Sequence, residues 1–133
     1  MSPVFADTSA FLALLVPSDE GHSDAARAFA RLRAREAPLL TTSYVLVETY
    51  ALLGHRFGLE AVRSFREGFA PLMEVVWIGE ELHEKGLDLL LDCGREGLSF
   101  VDATSFLVAR TQRVDEVFAF DRHFESEGFR RAI

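Results

Sequence analysis

Short strand-like runs alternate with helix-length segments along this chain, and that alternation limits the folds open to it more than any other feature. The strand candidates are residues 3–6, 38–40, 73–78 and 117–120, with a short fifth over 129–133. Residues 11–16 are apolar, read as helical and stop at Pro17. Residues 22–36 place Ala26, Phe29, Ala30 and Leu32 near a 3.6-residue period. Thr41, Thr42 and Ser43 offer capping hydroxyls to a helix running to about residue 55. Further helices are expected over 59–70, 80–93 and 99–113, with Gly94 and Gly97 marking the turn between the last two. This alternation predicts an α/β fold, a parallel sheet with helices on both faces. No repeat, linker or low-complexity segment divides the 133 residues, so 1–133 reads as one domain.

Many chemistries lack their usual carriers here. The four histidines, His22, His55, His83 and His123, form no HExxH pair, and His123 reads as a residue packing its own loop. There is no GxxxxGK[ST], GxGxxG or GxSxG. The single cysteine, Cys93, forms no intramolecular disulfide and is expected to be buried in its helix. No apolar run approaches the roughly 20 residues needed to cross a bilayer, and the N-terminus has no basic segment typical of a signal peptide, so a cytoplasmic location without membrane contact is expected. The net charge of −7 argues against coating nucleic acid by counterion release. It suits carboxylates that hold a divalent cation, which then meets a phosphate.

Four of the 21 acids stand in apolar surroundings. Asp7 follows Val-Phe-Ala, Glu48 lies inside Val-Leu-Val-Glu-Thr-Tyr-Ala-Leu, Asp102 inside Phe-Val-Asp-Ala, and Asp121 follows Val-Phe-Ala-Phe. By contrast, Glu80, Glu84, Asp88 and Asp92 recur every four residues and read as a solvated helix face. Burying an unpaired carboxylate costs several kcal/mol, and Mg²⁺ or Mn²⁺ would compensate through oxygen ligands. Asp7 and Asp121 fall at the carboxyl ends of strand candidates, where open α/β sheets bind ligands. Each acid also has a local reading. Asp7 can cap the following helix, Glu48 can be exposed, Ser99-x-x-Asp102 is a capping box, and Asp121 can start a turn.

These residues resemble the motifs of PIN-domain nucleases: Phe5-Ala-Asp7-Thr-Ser9, Val47-Glu48, Phe100-Val-Asp102-Ala, and Phe118-Ala-Phe-Asp121-Arg-His-Phe124 followed by Gly128-Phe129. Their order, spacing and total length are similar to the single-domain VapC toxins of VapBC toxin–antitoxin pairs. The resemblance implies a three-layer sandwich with a five-stranded parallel sheet of order 3-2-1-4-5. It also implies Mg²⁺- or Mn²⁺-dependent hydrolysis of RNA, with Asp7, Glu48, Asp102 and Asp121 as the catalytic and metal-holding quartet and Ser9 as a supporting hydroxyl. Some members place another acid shortly after the third one. Thr104 and Ser105 stand there in this chain, which removes a carboxylate from a second metal position.

Arg122, directly after Asp121, is the candidate RNA phosphate contact. The resemblance further implies a small antitoxin partner and a two-fold dimer, using the apolar residues over 44–53 and 59–70 with Phe57, Phe65 and Phe69, which by themselves read equally as an ordinary core. A stand-alone RNA-processing nuclease and a non-catalytic PIN-like binding domain are the alternatives. A phosphoaspartyl phosphatase would need Asp-x-Asp where Asp7-Thr8-Ser9 stands. A receiver domain would need a lysine after its last strand, but Lys85, the only lysine, lies in a helix candidate.

Overall fold

The computed structural model describes residues 2–133. Five short strands, β1 (Val4–Ala6), β2 (Leu39–Thr42), β3 (Met73–Val76), β4 (Glu116–Phe118) and β5 (Arg130–Arg131), form one sheet. Its order is β3-β2-β1-β4-β5 and every pairing is parallel. The helices are α1 (Thr8–Leu15), α2 (His22–Ala34), α3 (Ser43–Phe57), α4 (Leu59–Gly68), α5 (Glu80–Cys93), α6 (Phe100–Thr111) and α7 (His123–Ser126), with a 3-10 turn at Ala70–Leu72. The fold class, strand number and strand order match the expectation. The order reverses direction between β1 and β4, which opens a crevice at their carboxyl ends.

Strand alternation sorts the phenylalanines to the two faces of the sheet. Phe5 packs with Phe124, which meets Phe106 edge-on at 5.1 Å between ring centres. Phe118 faces the opposite layer, against Phe11 and Phe29, and Phe11 meets Phe65 at 5.0 Å. Phe5, Phe11, Phe65, Phe106, Phe118 and Phe124 are fully buried. Each contributes about 1.5–3 kcal/mol of transfer free energy. Helices therefore cover both faces, in three layers.

Several local expectations need correction. The helix expected from residue 11 starts at Thr8, because the Asp7 carboxylate caps its first turn. The strand expected over 117–120 ends at Phe118, since the Phe120 N–H turns to the Ser9 hydroxyl instead of extending the ladder. Ala25, Ala28 and Leu32 make the buried stripe of α2, while Ala30 is exposed. Cys93 is exposed and not buried. It ends α5 just before the left-handed Gly94, where the helix projects beyond its packing face and also exposes Leu91. Glu80, Glu84, Asp88 and Asp92 are all exposed, as expected of a solvated face. Among the described residues no helix is long and apolar enough to cross a membrane.

Candidate metal centre

Each of the four acids reaches the carboxyl edge of the sheet by a different local device. Asp7 follows β1 and its backbone N–H continues the ladder to Phe118 O at 3.0 Å. Its Oδ2 accepts the Ser9 N–H at 3.1 Å and the Ser9 hydroxyl at 2.7 Å. Asp102 sits in the first turn of α6. There Ser99 N–H donates to Asp102 Oδ2 at 3.1 Å, and Asp102 N–H returns the bond to Ser99 Oγ at 3.0 Å. Asp121 leaves β4, and its Oδ1 accepts the His123 N–H at 2.9 Å. Thus the capping and turn roles read from sequence all hold, and they coexist with a shared site. Each device engages one carboxylate oxygen, and among the described residues no hydrogen bond engages the other. None of the four acids has an ion-pair partner among the described residues either.

Glu48 comes from α3, and the Thr41-Thr42-Ser43 run fixes that helix. The Thr42 hydroxyl accepts from Val45 N at 3.1 Å and caps it. The Thr41 hydroxyl donates to Ala6 O at 2.9 Å, and the Ser43 hydroxyl accepts the Ile78 N–H at 2.9 Å. Next to Glu48, buried Thr49 hydrogen-bonds Thr8 at 3.0 Å, tying α3 to α1 beside Asp7. Glu48 itself is half-buried and lines a shallow surface pocket with Tyr44, Val47 and Val101.

The electrostatics reveal which acids are neighbours. Burial pushes the Asp7 carboxyl up to about 6, opposed by the Ser9 hydrogen bonds and reinforced by the charges of Asp102 and Glu48. Burial also raises Asp102; the Ser99 N–H opposes this, the Asp121 charge adds to it, and His123 pulls it back. Asp102 is therefore common to two groupings, one with Asp7 and Glu48 and one with Asp121 and His123. In the second, ligand atoms of Asp102, Asp121 and His123 all lie within 4.8 Å of one another. His123 was read from sequence as a loop residue, and its place here went unforeseen. The only available signal was its position two residues after Asp121. Arg122 is exposed beside Asp121.

The donor set fits a hard divalent cation. Its carboxylates are half-engaged and have no cationic partner among the described residues, one of them is pushed up to about 6 by burial, and oxygen donors of this kind are the ones such an ion prefers.

Comparison with known proteins agrees with this arrangement. The family model for the PIN domain matches residues 4–129. The 23S rRNA-specific endonuclease VapC20 of Mycobacterium tuberculosis is 33% identical over 127 residues, covering 95% of each chain. The crystal structure of M. tuberculosis VapC20, described as a Sarcin-Ricin loop cleaving toxin, superposes with a TM-score of 0.82 at 34% identity, covering 95% of both chains. FitAcB from Neisseria gonorrhoeae shares the fold alone, with a TM-score of 0.69 at 12% identity over 96% of this chain and 95% of that one. A parallel sheet of order 3-2-1-4-5, acids gathered at its carboxyl edge and a family match across nearly the whole length lead to one conclusion: this chain belongs to the PIN-domain family.

Proposed function

We propose that this chain, as a single PIN domain over residues 1–133, is a divalent-metal-dependent endoribonuclease and the toxin of a type II toxin–antitoxin pair. The observation that carries this is that buried Asp7 lies near enough to Asp102 and Glu48 for both charges to raise it further, in a chain matched over 95% of its length by an endonuclease relative. Asp7, Asp102 and Glu48 are the principal ligands in this reading, and Asp121 is the fourth acid. A bound Mg²⁺ or Mn²⁺ supplies Lewis acidity at the scissile phosphate. The chain's own residues do the rest. Ser9 orients Asp7, the capping box orients Asp102, and the exposed Arg122 guanidinium draws an RNA phosphate toward the crevice. Because the relative acts on 23S rRNA, ribosomal RNA is the first substrate to test.

A small antitoxin as inhibitor, a cytoplasmic location and a homodimer belong to the same reading. Val47, Phe57 and Leu59 on α3 and α4 are exposed, which supplies apolar area for association.

The test is RNA cleavage with and without Mg²⁺ or Mn²⁺, in the wild type and in Asp102→Asn. The amide at 102 can still accept the Ser99 N–H, so the helix cap survives while the charge is lost. Cleavage that needs the cation and disappears in the variant is expected. Undiminished cleavage by the variant would overturn the assignment. Expression alone and with the neighbouring small reading frame separates the toxin from a stand-alone processing nuclease: toxicity relieved by that frame is expected.

A further inference from the structure

We propose that His123 is a ring-nitrogen ligand of a second metal position, shared with Asp102 and Asp121, and that this position takes Mn²⁺ and later divalent transition ions in preference to Mg²⁺. The inference rests on the reading of the acidic crevice as a metal site and adds a donor to it that sequence motifs did not supply.

Three observations converge. First, the His123 ring, the Asp102 carboxylate and the Asp121 carboxylate bring ligand atoms within 4.8 Å of one another. Among the described residues the ring makes no hydrogen bond and no ion pair. That limit leaves room for the roughly 4 Å between opposed donors on an ion bound at about 2 Å.

Second, the other histidine rings behave differently. His22 Nδ1 is bonded to Ala13 O at 2.9 Å, the His83 ring is bonded to the Tyr44 hydroxyl, and His55 is exposed. Among the described residues, His123 is the histidine whose ring nitrogen lies within 4.8 Å of two carboxylates.

Third, the residue is held in place. Its backbone N–H is fixed on Asp121 Oδ1, the next residue, Phe124, is fully buried, and a Cβ on Gly97 would lie 3.8 Å from His123 Nε2. The backbone that carries the ring is therefore anchored beside the two carboxylates, which lowers the cost of ordering it on a metal.

The donor set determines the selectivity. Thr104 and Ser105 stand where some relatives place another acid, and the Thr104 hydroxyl is committed to Phe100 O and Val101 O. The position near Asp102 therefore gains a nitrogen from the first residue of α7 in place of an oxygen from α6. Mg²⁺ prefers oxygen, whereas an imidazole donor favours divalent transition ions, with affinity rising from Mn²⁺ through Co²⁺ to Ni²⁺.

The experiment is Mn²⁺ titration of the full chain, followed by pulsed electron paramagnetic resonance for ¹⁴N coupling, in the wild type, His123→Gln and His123→Ala, with circular dichroism to verify folding. Expected are nitrogen coupling in the wild type, its loss in both variants, and Mn²⁺ affinity at the weaker position reduced by about tenfold or more, with Mg²⁺ affinity little changed. Mn²⁺ bound to the wild type without nitrogen coupling overturns the proposal and leaves the acidic site standing. Coupling that persists in folded His123→Gln overturns it as well. Absence of any Mn²⁺ binding by the wild type overturns both this proposal and the reading on which it rests.

Discussion

The Ser9 hydroxyl accepts the Phe120 N–H at 3.0 Å across 111 residues of sequence, and so joins the exits of the two central strands. The same oxygen donates its proton to Asp7 Oδ2 at 2.7 Å. One small side chain therefore stops β4 from pairing further, holds the crevice walls together and orients the most buried acid of the site.

Ser9→Ala is expected to break both links. The Phe120 N–H loses its acceptor, at a cost of about 1–2 kcal/mol in unfolding free energy. Asp7 keeps only the Ser9 backbone bond, so its carboxyl rises further above its already elevated value of about 6. Denaturant unfolding and Mn²⁺ titration at pH 7 check this. Stability and metal affinity should fall together, and loss of one without the other would show that the hydroxyl serves only one of the two roles.

The raised Asp7 carboxyl sets a pH dependence with a definite sign. Its value moves from 3.8 to about 6 because burial disfavours the charge. Between those values the folded state keeps a proton that the unfolded state has released, so stability is lost as pH rises from about 4 to 6 and stays lost above. The penalty is about 3 kcal/mol for a shift of this size. Asp7→Asn cannot ionise, and its amide oxygen can still accept from Ser9. Without metal, the variant should match the wild type near pH 4 and exceed it at pH 7, as denaturant melts in chelator would show. With Mn²⁺ the order should narrow or reverse, because the cation binds only the ionised wild type.

Strand-to-helix alternation made the α/β class with a parallel sheet legible, while the strand order came from the resemblance to PIN-domain nucleases. Charges inside apolar runs stand out, which is why four acids could be singled out as candidates. What remained hidden depends on tertiary contact. The early end of β4 follows from the hydrogen bond between the Phe120 N–H and Ser9, which no periodicity reveals, whereas the start of α1 at Thr8 was open to reading from the capping role of Asp7. Cys93 was expected to be buried because free cysteines in helices usually are, but it ends α5 exposed, beside exposed Leu91. His123 stands two residues after Asp121, but its second partner, Asp102, comes from α6, and only the fold brings the three together.

Arg122 tests whether the crevice meets RNA through the residue beside it. It is exposed and has no acidic partner among the described residues. Arg122→Ala should raise KM several-fold with kcat little changed, and should reduce the salt dependence of RNA binding by about one phosphate contact. Steady-state kinetics at two salt concentrations check this. A fall in kcat alone would place the guanidinium at the reacting phosphate instead.

Gly86 links helix packing to the site. It is buried on α5, and a Cβ there would lie 2.4 Å from the Thr104 methyl and 3.4 Å from the Phe100 ring on α6. Thr104 cannot swing its methyl aside cheaply, because its hydroxyl is bonded to Phe100 O at 3.1 Å and Val101 O at 2.9 Å, and its branched Cβ has few rotamers. In an open helix, Gly→Ala would stabilise by about 1 kcal/mol. Here overpacking opposes that gain, and Gly86→Ala should destabilise by about 1–3 kcal/mol. The strain falls on the first turns of α6, which carry Asp102, so metal affinity should drop as well. Thr104→Ser keeps the hydroxyl and removes the clashing methyl. The double variant Gly86→Ala/Thr104→Ser should therefore recover stability relative to Gly86→Ala alone, a coupling that thermal melts of the four proteins in the cycle would measure. Strict additivity of the two changes would mean that the helices separate without meeting at this point.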